Sequence, residues 1–76
     1  MKERIMELPL HKIHPNLRSL YRLQDIEAVQ RAIQSQGLKE PIQIWFDGER
    51  FRILDGEKRW RACKRLGITR IRARIA

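Results

Sequence analysis

Seventy-six residues, 42% of them hydrophobic, make a single domain spanning residues 1–76 with a small core, too apolar for a disordered basic tail. The 17 basic and 9 acidic residues leave a net charge of +8, and the whole excess lies in residues 50–76, where only Asp55 and Glu57 are acidic. Charge this one-sided points to a polyanionic partner, nucleic acid or nucleotide phosphates, and no apolar run or basic amphipathic face points to a membrane.

The one cysteine, Cys63, excludes an internal disulfide and fits a reducing cytoplasm, the expected location of this basic protein. His11, His14 and Cys63 have no zinc-site spacing, so no metal site is expected.

Arg4 to Leu10 reads as a first strand, carrying Ile5, Met6, Leu8 and Leu10. Pro9, Pro15 and Asn16 then mark a loop through His11, Lys12, Ile13 and His14. From Asp25 the period becomes helical, with Ile26, Val29, Ala32 and Ile33 on one face. Asp25 is the expected N-cap and Gly37 the expected left-handed residue at the C-terminus. Ala28 and Ala32 are small enough to let a loop or ligand come close.

Pro41 opens a strand on which Ile42, Ile44 and Phe46 alternate with Gln43 and Trp45, and Asp47-Gly48 signals a two-residue hairpin. The returning strand sets Phe51 and Ile53 against Arg50, Arg52 and Leu54. A second helix, Glu57 to Leu66, buries Trp60, Ala62, Cys63 and Leu66, and Gly67 stops it. The last strand alternates Ile71, Ala73 and Ile75 inward with Arg70, Arg72 and Arg74 outward. If the neighbouring strand is that of Arg50 and Arg52, the five arginines form a cationic ladder suited to a nucleic-acid backbone. The order is β-α-β-β-α-β, an α+β fold with a small mixed sheet.

The chemistry concentrates at Asp55-Gly56-Glu57-Lys58-Arg59-Trp60-Arg61-Ala62, where strand runs into helix. Glycine at that junction lets backbone amides approach a ligand, and the first helical turn offers unpaired N–H groups at the positive end of the dipole. Lys58, Arg59 and Arg61 add cations to the same place. The competing reading is plain capping: Asp55 accepts from the first-turn amides, Glu57 suits the dipole and the basic side chains form a solvated face.

Three blocks in this order carry a family resemblance: Ile13-His14-Pro15-Asn16, Ser35-Gln36-Gly37-Leu38-Lys39-Glu40-Pro41-Ile42, and Ile53-Leu54-Asp55-Gly56-Glu57-Lys58-Arg59-Trp60-Arg61-Ala62. From about Leu8 to Ile75 the chain resembles the N-terminal domain of ParB-type partition proteins, in the ParB/sulfiredoxin superfamily. That pattern runs from a proline-asparagine loop through Gly-Leu-x-x-Pro-Ile to Gly-Glu-Arg-Arg-x-x-Ala. The resemblance implies a ParB/sulfiredoxin-like fold that binds a nucleoside triphosphate, of cytidine or adenosine type, with or without magnesium.

By the same resemblance Gly56, Glu57, Lys58 and Arg59 are the phosphate cradle, and Arg61 and Arg18 join it as cationic candidates. Lys58 stands where the family has arginine, which keeps the charge and loses the bidentate fork. The family's Gln-Pro-Arg element has no full counterpart. Counted from Pro15-Asn16, Ser19 meets its glutamine and Tyr21 its arginine; counted back from Gly37, Arg18 meets the arginine. No register restores the glutamine, so hydrolysis by that route is not expected. In sulfiredoxins a catalytic cysteine follows the turn's glycine, and here that position is Glu57.

Two functions follow as expectations. The first is a ParB-like module that binds nucleotide, DNA or both in partitioning or regulation, without helix-turn-helix and dimerisation parts. The second is a nuclease or nucleotide-dependent phosphotransferase of the same fold, with Glu57 as its catalytic carboxylate and Asp55 and Glu40 as helpers. Homodimer formation is left open.

Overall fold

The computed structural model describes residues 4–15 and 21–76. Its elements are β1 (Arg4–Pro9), a 3-10 turn (Leu10–Lys12), β2 (Ile13–His14), α1 (Leu23–Gln36), β3 (Ile42–Phe46), β4 (Phe51–Asp55), α2 (Glu57–Arg65) and β5 (Arg70–Ile75). The five strands form one mixed sheet in the order β1-β5-β3-β4-β2. The α+β class and its order of main elements are those expected, with one short strand added. Ile13–His14 had read as loop because two residues are too short to show alternation; they pair in parallel with Phe51 and Arg52 at the sheet edge.

The core follows from strand alternation. Ile42 and Ile44 on β3, Ile53 on β4, and Ile71 and Ala73 on β5 are all buried on one face. Ile26 and Ile33 from α1, and Trp60, Ala62 and Cys63 from α2, join them in a single cluster. The indole Nε1–H of Trp60 donates to the carbonyl of Leu10 at 3.2 Å, fixing α2 to the 3-10 turn. Phe46 alternates with Ile42 and Ile44 on β3 but does not share their burial. At 53% exposure it packs against the Phe51 ring.

Three local expectations are corrected. Helix α1 starts two residues before Asp25: Arg22 is its N-cap, and Asp25 sits in the first turn, where its amide donates to the Arg22 carbonyl. The hairpin loop is longer than two residues, because Asp47 stops the pairing early. Its Oδ1 accepts from the amides of Glu49 (2.9 Å) and Arg50 (2.8 Å), and its amide donates back to the Arg50 carbonyl. Third, β3 stands between β4 and β5, so the arginines of those two strands are not neighbours and the five-residue ladder does not form. Gly37 does take the left-handed φ of 78° and donates to the Ile33 carbonyl.

Candidate functional site

The site is made where β4 hands over to α2. The β3–β4 register shifts between Gln43 and Ile44, opposite the end of β4, and the chain turns at Gly56 with φ 100° and ψ 23°. Glycine is required there on two counts. An L side chain rarely adopts that φ, and a Cβ would lie 2.7 Å from Cγ2 of Ile42. Gly56 is also the N-cap of α2 and supplies no side-chain cap. Asp55 does not take that role either. Its carboxylate turns to Arg59, 3.5 Å away, and the positive end of the α2 dipole lies at the Gly56 turn.

Beside this turn lies a cleft of about 460 Å³ walled by Tyr21, Val29 and Ala32 on one side and by the turn from Asp55 to Arg59 on the other. Glu57 is 5% exposed, and its Oε2 accepts from Arg61 Nε at 3.1 Å. That i, i+4 pair has glutamate N-terminal to the cation, the favourable order in a helix. Lys58 Nζ lies 5.6 Å from the centre of the Tyr21 ring and the Arg61 guanidinium 5.8 Å from it, so two cations engage one aromatic ring.

Arg59, expected in the phosphate cradle, already holds protein partners. Its Nη1 donates to the carbonyls of Glu40 (3.1 Å) and Pro41 (3.3 Å), while Nη2 faces Asp55. It therefore clamps the connection between α1 and β3 onto the α2 turn. Nothing local in the sequence signals this, because the partners are backbone carbonyls 19 and 18 residues away.

The structure gathers Gly56, Glu57, Lys58, Arg59 and Arg61 at one place and adds Tyr21, Val29 and Ala32 as a wall. Arg18 lies outside the described residues. The remaining arginines are dispersed. Arg52 is paired with Asp47 and Arg70 with Glu7, while Arg50 is exposed at the hairpin and Arg72 on β5. Arg74 is partly buried on β5, in register with Gln43. Cys63 is buried, and desolvation pushes its thiol above the ordinary range, so it is no ready nucleophile. Among the described residues no three His, Cys, Asp or Glu side chains converge as a metal site.

The sequence profile of the ParB N-terminal domain matches residues 1–76. The chain belongs to the ParB N-terminal domain family. Among curated ParB-type relatives, it is 31% identical over 75 residues to the chromosome-partitioning protein ParB of Myxococcus xanthus, covering 95% of this chain and 25% of that protein. With the nucleoid occlusion protein of Geobacillus sp. (strain WCH70) the identity is 37% over 79 residues, covering 97% and 28%. The ParB-like domain thus spans about a quarter of the length of these relatives.

Solved structures agree on the fold. Sulfiredoxin from Arabidopsis thaliana superposes with a TM-score of 0.82 at 30% identity, over 96% of this chain and 84% of that one. The C-terminally truncated ParB of Caulobacter crescentus, complexed with CTP-γ-S, superposes with a TM-score of 0.84 at 25% identity, over 96% and 44%. The fold is the ParB/sulfiredoxin fold.

Proposed function

We propose that this ParB N-terminal domain binds a nucleoside triphosphate by its phosphates at the N-terminus of α2, within a protein that acts on DNA in partitioning or nucleoid occlusion. The observation that carries the reading is the Gly56 turn. It brings the N-terminus of α2 to a cleft that already holds Lys58 and, through Tyr21, Arg61. Amides, dipole and cations all favour an anion at that point. The triphosphate analogue bound by the Caulobacter homologue supports the same ligand class.

The roles divide by what each side chain already holds. Lys58 is exposed and meets the phosphates directly. Arg61 has its Nε on Glu57 and keeps its remaining N–H groups for the ligand. Arg59 sets the shape of the cleft through its carbonyl partners. Val29 and Ala32 present a small apolar wall on which a base can rest. Contact with the DNA backbone falls to arginines away from the cleft, exposed Arg72 first, then exposed Arg50 and Arg70, with half-buried Arg52 and Arg74 as flanking charge.

A catalytic second reading has one observation in its favour, the burial of the Glu57 carboxylate at the cleft. A sulfiredoxin-type reaction has none, because Glu57 occupies the position of the thiol and Cys63 is packed in the core.

A thermal-shift panel of nucleoside di- and triphosphates, with and without magnesium, tests the proposal on wild type and Lys58→Ala. At least one triphosphate should raise the wild-type Tm and raise that of Lys58→Ala much less. No shift with any nucleotide would overturn it.

A further inference from the structure

The opposite end of the β3–β4 hairpin carries a second cluster that the α2 turn does not explain. Phe46 and Phe51 face each other across the strands, their ring centres 5.3 Å apart and their planes inclined by 60°. Phe46 is 53% exposed. A cleft of about 340 Å³ runs beside them, walled by His11, Lys12, His14 and Arg50, with Glu49 as its acidic residue. These groups come from three separate elements. The pairing of Ile13 with Phe51 and of His14 with Arg52 brings the 3-10 turn and β2 alongside the hairpin. Asp47 fixes the loop by accepting from the amides of Glu49 and Arg50 and from the Arg52 side chain, so Arg50 is presented beside Phe51.

The plain alternative is a cross-strand aromatic pair that only stabilises the hairpin. It accounts for the rings. It does not account for four cationic or protonatable side chains around them, nor for a Phe46 ring left open to water.

We infer that this hairpin end binds single-stranded nucleic acid, with the open Phe46 ring, braced by half-buried Phe51, as the stacking surface and Lys12 and Arg50 on the flanking phosphates. Exposed aromatic faces set among cations are the physical requirement for holding an unpaired strand without reading its sequence. A duplex offers phosphates and no free base face, so it engages the cations alone. An acidic peptide would satisfy the same cations but would leave the rings without a stacked partner. This site is independent of nucleotide binding at the α2 turn, since it lies at the other end of the hairpin and shares no residue with that cleft.

Fluorescence anisotropy of a labelled fifteen-residue oligothymidylate, read across a salt series, tests the inference. Wild type should bind the single strand more tightly than a duplex of about equal length. Phe46→Ala should weaken binding by about fivefold or more, the lower bound for one lost base stack. The double variant Lys12→Glu and Arg50→Glu should weaken it further and reduce the log–log salt slope by about 1.4, the share of two phosphates on a single strand. Lys58→Ala should bind as wild type does, which separates this site from the nucleotide cleft. Circular dichroism of Phe46→Ala should match wild type, because the removed ring fills no part of the core. Three results would overturn the inference: no binding at low salt, Phe46→Ala as tight as wild type, or an acidic amphipathic peptide displacing the oligonucleotide from Phe46 as well as unlabelled strand does.

Discussion

Gly56 and Ile42 touch so closely that a Cβ on the glycine would stand 2.7 Å from the isoleucine Cγ2. Ile42 is fully buried at the start of the central strand β3, so it has nowhere to retreat. Gly56→Ala therefore meets two penalties: roughly 1–2 kcal/mol for a left-handed backbone and about 1–3 kcal/mol for overpacking. Chemical denaturation should show the sum as a lowered midpoint, with nucleotide-induced stabilisation lost as well.

Arg59→Ala and Lys58→Ala should separate shape from charge. Losing Arg59 leaves the Glu40 and Pro41 carbonyls without their cationic donor and should lower stability by about 1–3 kcal/mol with no ligand present. Losing exposed Lys58 should change unliganded stability by less than about 0.5 kcal/mol and weaken triphosphate binding directly. Denaturation curves with and without nucleotide distinguish the two variants.

Glu57→Gln addresses turnover. A binding module should keep most of its nucleotide affinity, since glutamine can still accept from Arg61. If the domain cleaves or transfers phosphate with this carboxylate, turnover measured by phosphate release should vanish while binding persists. Wild type with no measurable turnover would confine Glu57 to ordering the helix.

Asp47 sets a pH dependence. The amide of Arg50, then the Arg52 side chain and the amide of Glu49, hold its carboxyl well below the ordinary carboxylate range. A folded-state pKa below the unfolded one stabilises the fold above the unfolded value, near 3.9, and that contribution fades as the pH falls further. Asp47→Asn should thus have a lower Tm than wild type at pH 7, with the gap narrowing toward pH 2. A constant gap would show that the turn geometry alone is responsible.

Cys63 should report on global unfolding. Its side chain is 1% exposed and its thiol is pushed up by burial, so both access and thiolate fraction are low in the folded state. Labelling by a disulfide reagent should follow the denaturant-induced opening of the core. Rapid labelling without denaturant would show a local opening of α2.

The parts of this molecule that were legible in its sequence are those that depend on near neighbours. Alternation on β3 and β5 and the glycine at position 56 are local signals, and they located the core and the turn. What was hidden depends on contacts across the chain. Tyr21 reaches Lys58 and Arg61 only because α1 packs beside α2. The clamp made by Arg59 uses backbone carbonyls, which every residue has. The arginine ladder failed for a related reason: alternation says which face a side chain takes and nothing about which strand lies next to it. Strand order placed β3 between the two arginine-bearing strands. The start of α1 moved because its N-cap, Arg22, makes no side-chain cap, leaving Asp25 to look like a cap from inside the first turn.

The pairing of β1 with β5 joins Arg4 to Ile75 and Pro9 to Arg70. Strand β1 has no other neighbour in the sheet, so it stays unpartnered while the ribosome makes everything between. The β3–β4 hairpin and α2 can collapse early on local contacts, but the parallel β3–β5 contact and the β1 edge wait for the arginine-rich strand. Three of the arginines that give the domain its positive charge thus lie on the strand that closes it last, and a chain stalled before Arg70 would expose the unpaired backbone edge of β3 to whatever strand it met first.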